Sequence, residues 1–246
     1  MQRDGRLLFD TANSYIVQCH SFLIWIKPGG VRGRLAPLAG DLARDHGCCV
    51  VGMESDMSET TFSIRQPDWL AAWLAGRALP VSDRERLGEV LALTEESVRR
   101  GSGGPFAAIV YDQRSGARLG VAVNTVVANS TALAHAETSA LALAQQAQGS
   151  FTLAFEGGPE ALLVTSSAPC TMCLGAIAWS GVSRVLFAST RGDVEAIGFD
   201  EGPLTPRWRA QLGARGIRVD GPRCRARAKA VLRDYLQTQG EIYNAR

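Results

Sequence analysis

The sequence predicts an α/β fold, a three-layer α/β/α sandwich built on a mixed five-stranded sheet. Two observations carry this. From about residue 82 onward, helical and strand periodicities alternate along the chain, and the first two strands follow each other through a short turn while later strands are separated by helices. A hairpin is antiparallel and strands joined by crossover helices are parallel, so the sheet must be mixed. The chain has 246 residues, 46% hydrophobic and 20% charged, enough for one good core plus an appendage.

Residues 1–56 show no sustained period, because Pro28-Gly29-Gly30, Gly33, Pro37, Gly40 and Gly47 interrupt short apolar pieces. They are expected to form an irregular extension. Met53 and Met57 are both possible starts, and Met57-Ser58-Glu59-Thr60-Thr61 reads like an ordinary N-terminus. On that expectation the preceding residues are upstream sequence, and peptides from Tyr15 to Arg44 in the native protein would exclude it. Residues 57–81 are expected to be a short helical lead-in, with Trp69, Leu70, Trp73 and Leu74 as packing residues. Residues 82–246 are then assigned to one domain, which carries the motifs described below.

Within that domain, Ser82 with Glu85 forms a capping-box signature, followed by a helix whose apolar face is Leu87, Val90, Leu91, Leu93, Thr94 and Val98 and which Gly101 stops. Phe106–Tyr111 and Ala117–Val123 read as a strand hairpin. A loop from Asn124 to Leu133 leads into an Ala- and Leu-rich helix, His135–Gln148, ended by Gly149. Ala161–Thr165 is a short buried strand, Thr171–Trp179 a helix and Arg184–Ala188 another strand. Arg207–Leu212 (helix), Gly216–Val219 (strand) and a closing helix from about Arg225 to Thr238 complete the set.

A net charge of +2 gives no overall pull towards nucleic acid or membrane. The longest apolar run, Ser21–Ile26, is far shorter than the roughly 20 residues of a membrane span, and no small-residue cleavage site follows it before Lys27. Six cysteines in a chain of this length do not resemble a disulfide framework, so a reducing compartment and a cytoplasmic protein are expected. Cys48, Cys49 and Cys224 are read as ordinary thiols.

Two short motifs stand apart. Ala134-His135-Ala136-Glu137 opens one helix, and Pro169-Cys170-Thr171-Met172-Cys173 opens the next. Cys170 and Cys173, three apart at a helix start, share a face, and the helix N-terminus favours the thiolate form that binds metal. If the two N-termini converge, His135, Cys170 and Cys173 supply three ligands to a zinc ion, leaving a fourth position open with Glu137 beside it. Such a Glu is suited to take a proton from a hydrolytic water and deliver it to a leaving group. Singly, each half has ordinary readings, as two buried thiols, a redox couple or a satisfied histidine. His135, however, is the only histidine after residue 46, and His-x-Glu followed by Pro-Cys-x-x-Cys is the joint pattern of zinc deaminases of nucleobases.

Residues 82–246 resemble the cytidine deaminase superfamily, and within it the branch of guanine deaminase and the tRNA adenosine deaminases. The resemblance is concentrated in Gly103-Gly104-Pro105-Phe106-Ala107-Ala108, Asn124, Ala134–Glu137 and Pro169–Trp179. It implies one zinc per chain on His135, Cys170 and Cys173, with Glu137 as proton shuttle, and a small aminated nucleobase or nucleoside as substrate. Asn124 stands where relatives place an amide that binds the base, although it also suits a turn. Phe106 either walls the base pocket or packs in the core. Gly198-Phe199-Asp200-Glu201 resembles a guanine deaminase motif, with Glu201 where Asp is usual. Ala168 stands where relatives commonly have Glu.

Guanine is therefore the leading candidate. The alternative is a tRNA-specific adenosine-to-inosine deaminase, suggested by ten basic residues against three acidic ones from Pro203 onward. A solvated helix face also accounts for those charges. A structural zinc in a binding module is a third reading, but no fourth protein ligand is evident. The resemblance also implies a homodimer, with the helix from Thr171 and its Trp179 as a contact. Relatives bring a C-terminal aromatic residue into a partner's site, where Tyr243 is a candidate by position alone.

Overall fold

The computed structural model describes residues 8–10, 14–19, 22–26, 61–203 and 205–244. The chain divides into two compact units, Met1–Phe62 and Ser63–Arg246. In the first, β1 (Leu8–Asp10), β2 (Ser14–Cys19) and β3 (Phe22–Ile26) form an antiparallel sheet in that order. The expectation of an irregular extension is corrected over these residues. The strands are only three, six and five residues long, and runs this short do not establish a period. Met53 and Met57 lie outside the described residues.

The second unit contains α1 (Trp69–Leu74), α2 (Asp83–Arg99), β4 (Ala107–Asp112), β5 (Arg118–Val123), α3 (Val126–Asn129), α4 (Ala136–Ala147), β6 (Ala161–Ser167), α5 (Thr171–Ser180) and β7 (Arg184–Ser189). It continues with α6 (Arg191–Glu195), α7 (Trp208–Gly213), β8 (Arg218–Asp220) and α8 (Arg225–Gln237). The sheet order is β5-β4-β6-β7-β8. β4 is antiparallel to both β5 and β6, whereas β6–β7 and β7–β8 are parallel. This is the mixed five-stranded sheet that the hairpin and the later crossovers predict.

The layers follow from strand alternation. On β4, Ile109 and Tyr111 pack with Leu87, Val90 and Leu91 of α2. Ala108 and Val110 point the other way, into a second core with Ala140 and Ala144 of α4, Ile177 of α5 and Leu212 of α7. The capping box forms as predicted: the Glu85 amide donates to Ser82 Oγ at 3.3 Å, and the Ser82 amide donates to Glu85 Oε2 at 2.9 Å. Gly101, at φ +62°, ends this helical region in the left-handed conformation.

One close approach sets the position of α4. A Cβ on Gly120 of β5 would lie 2.2 Å from the Ala140 carbonyl oxygen and 2.7 Å from the Ala144 amide. Helix and strand backbones therefore meet where no side chain intervenes. Gly120→Ala should push α4 off the sheet and lower stability by about 1–3 kcal/mol. Urea denaturation should show a lower midpoint at unchanged slope.

Candidate active site

Two helix starts meet at one point. His135 is the N-cap of α4 and Cys170 the N-cap of α5, both in extended backbone conformation, and Cys173 lies in the first turn of α5. His135 Nδ1 is 3.6 Å from Cys170 Sγ and 3.6 Å from Cys173 Sγ. One donor atom from each of the three residues falls within 4.8 Å of the others, a triangle able to hold a metal ion. The Cys173 amide donates to Cys170 Sγ at 3.5 Å.

Glu137 sits two residues into α4, buried against this triangle. Its Oε1 accepts from Thr165 Oγ1 at 3.2 Å and its Oε2 from Cys173 Sγ at 3.5 Å. Burial, with the neighbouring Cys170 charge, raises the Glu137 carboxyl above the ordinary carboxylate range. The two thiols share a proton unequally. Hydrogen bonds from Cys173 and His135 bring Cys170 down to about 4, and Cys173, bonded to that thiolate and buried, is raised. Burial works to lower His135, but the Cys170 hydrogen bond and the Glu137 charge outweigh it and the imidazole is raised.

A small cavity lined by Glu137 and His135 opens beside the triangle. The other three sequence-predicted residues, Phe106, Asn124 and Glu201, all line it. Asn124 is buried, and its Oδ1 accepts from the Val126 amide at 3.3 Å. The turn role and the cavity-lining role thus coexist in one side chain. Phe106 packs edge-on against Phe199 with centroids 5.1 Å apart, so it belongs to the core and to the cavity wall at once. Glu201 is held through its backbone carbonyl, which accepts from the Thr171 amide at 3.1 Å and Thr171 Oγ1 at 3.2 Å. Its carboxyl is pushed up to about 8, first by burial and then by the Cys170 and Glu137 charges.

Sequence reasoning missed Ser167 and Phe199 as lining residues. Strand alternation places Ser167 on the same face of β6 as Leu163, a signal that could have found it. Tyr243 lines the cavity of its own chain, and its hydroxyl is buried with no partner among the described residues. The tail carrying it is tied to the 198–200 loop: the Asp200 amide donates to Asn244 Oδ1 at 2.9 Å, and Asn244 Nδ2 donates to the Gly198 carbonyl at 2.8 Å. These bonds are long-range, which is why the sequence gives no local sign of them.

Residues 81–189 match the family profile of the cytidine and deoxycytidylate deaminase zinc-binding region. Guanine deaminase of Bacillus subtilis is 35% identical over 115 residues, 47% of this chain and 69% of that protein. Guanine deaminase from Nitrosomonas europaea superposes with a TM-score of 0.68 at 40% identity, covering 71% of this chain and 96% of that one. A structure solved in complex with 2,6-diaminopurine gives a TM-score of 0.69 at 42% identity, over 75% of this chain and 97% of that one. Fold, donor cluster and relatives together define a hydrolytic deaminase: the chain belongs to the cytidine deaminase superfamily.

If the triangle is the metal centre, Cys173→Ser should reduce bound metal well below one equivalent, read by elemental analysis. A chelator should lower the melting temperature of the wild-type protein and leave that of the variant nearly unmoved.

Proposed function

We propose that the chain is a zinc-dependent hydrolytic deaminase of a free aminated nucleobase, with guanine as the leading substrate. The observation that carries this reading is the buried Glu137 carboxyl beside the His135–Cys170–Cys173 triangle, at the floor of a cavity lined by an amide, a carboxyl and aromatic rings. Its similarity to guanine deaminases and to a protein solved with 2,6-diaminopurine supports an aminopurine.

The donors fit zinc. Zn–N of about 2.0–2.1 Å and Zn–S of about 2.3 Å put N and S about 3.6 Å apart at tetrahedral angles, in agreement with both 3.6 Å separations from His135 Nδ1. Three protein ligands leave the fourth position of a catalytic site open. Held there, one zinc per chain would supply a hydrolytic nucleophile at neutral pH.

The chain's residues supply the rest. Asn124 offers an amide to the polar edge of the base, and a protonated Glu201 can donate to a ring nitrogen or carbonyl. Phe106 and Phe199 border the cavity as an apolar wall. As water adds to the ring carbon bearing the amine, Glu137 takes its proton and passes it to the ring nitrogen. Glu137 then takes the remaining proton of the added hydroxyl and delivers it to the amine, so that the carbon–nitrogen bond breaks, ammonia leaves and the carbonyl forms. A buried carboxyl beside the donor triangle is suited to both halves of this shuttle.

The alternative, adenosine-to-inosine editing of tRNA, rests on the basic C-terminal segment. Much of that charge is engaged within the fold: Arg225 pairs with Asp193 at 2.7 Å, Arg227 with Glu95 at 2.7 Å, and Arg218 with Asp220 at 3.0 Å. The free-base reading is accordingly preferred. A reducing, cytoplasmic setting is in keeping with free thiols at Cys170, Cys173 and Cys224. Among the described residues, no helix is long and apolar enough to cross a membrane.

The homodimer is part of the same reading. α5 has no charged residue, Trp179 is 79% exposed, and an apolar groove beside it is bordered by Leu174, Ala178 and Leu212. Knob and groove on one face suit an isologous contact. Trp179→Glu should convert a dimer to monomer in light scattering, whereas a wild-type monomer would refute the contact.

Glu137→Gln should retain metal and lose about 10²–10⁴ in kcat for ammonia release from guanine. Undiminished turnover would remove Glu137 from the mechanism. Wild-type protein that released no ammonia from guanine, cytosine, adenine or their nucleosides would remove the function itself.

A further inference from the structure

Thr165 breaks the pattern of its strand. Residues 161, 163 and 165 alternate onto the face of β6 covered by α4 and α5, and Ala161 and Leu163 are part of the apolar core there. Thr165 is fully buried on the same face. A valine would fill the same shape without a hydroxyl to satisfy, so the oxygen needs a reason. It has one partner in view, donating to Glu137 Oε1 at 3.2 Å.

The other contacts of that carboxylate are of a different kind. Oε2 accepts from Cys173 Sγ at 3.5 Å, but a cysteine that binds metal does so as thiolate and has no proton left to give. Besides the backbone amide of Glu137 itself, Thr165 is then the side-chain donor that remains among the described residues. It is also well fixed. Thr165 stands opposite Ala108 of β4 and Phe187 of β7, in a strand paired on both edges, and a β-branched side chain is stiff at χ1. Thr165 does not line the cavity, so it acts through Glu137 alone.

We propose that Thr165 is a positioning residue, whose hydroxyl holds Oε1 of Glu137 so that Oε2 faces the reacting water and amine. The inference rests on the deaminase reading above. A carboxylate pinned at one oxygen keeps its second oxygen within transfer distance of both proton acceptors, while an unpinned one must be reoriented at each turnover.

The test compares Thr165→Val and Thr165→Ser with the wild type, each as metal-loaded full chain. The isosteric Val variant should keep its metal and its KM for guanine and lose about 10- to 100-fold in kcat. Ser, which restores the hydroxyl, should recover most of that loss. Crystal structures of the loaded proteins should show the Glu137 carboxylate displaced in the Val variant and restored with Ser. Wild-type kcat in the Val variant, a loss confined to KM or metal content, or a Ser variant no better than Val would overturn the proposal. A wild type inactive on every base would instead refute the deaminase reading. In that event the Glu137 position in the crystal structures decides the positioning role alone, an unmoved carboxylate overturning it.

Discussion

The chemistry of the cavity depends on two helices that begin at the same place. α4 and α5 direct their N-termini, with the partial positive charge of unpaired amides, at one small volume. Into that volume the chain puts Glu137, Glu201 and two thiols, with His135 as the nearest cationic partner. Burial raises both carboxyls, with the Cys170 charge adding to it, and the hydrogen bond to Cys170 together with burial raises Cys173, while Cys170 is drawn down by its hydrogen bonds. A buried group of this composition is poorly compensated by the protein alone. A cation held by the three donors would relieve it.

The layered fold was legible because its signals are local and repeated. Ser82 and Glu85 announce the start of α2, alternation in β4 and β5 announces a hairpin, and helices separate the parallel strands. What escaped has equally physical reasons. α3 and α6 have four and five residues, too few for a helical period, and α6 is held chiefly by Thr190 and Asp193 capping each other. The register of β1–β3 comes from pairing across short strands.

The donor triangle was legible for a different reason: metal ligands at the starts of helices tolerate few residue types, so three of them with a neighbouring Glu make a compact signature. The wall of the cavity carries no such restriction. Phe106, Phe199 and Tyr243 form a chain of edge-on rings, with Phe199 5.1 Å from each of the other two. Three elements distant in sequence contribute these rings, and aromatic residues serve ordinary cores equally well. The donor cluster and the cavity wall are thus made of different kinds of residue, the first visible as a motif and the second only through assembly.

Gly104 lies under that wall. A Cβ there would come within 2.1 Å of the Tyr243 hydroxyl, so the missing side chain at one position is the room occupied by the other. The two residues, far apart in the chain, share one volume. A screen of paired substitutions should find larger residues at 104 better tolerated where 243 is small.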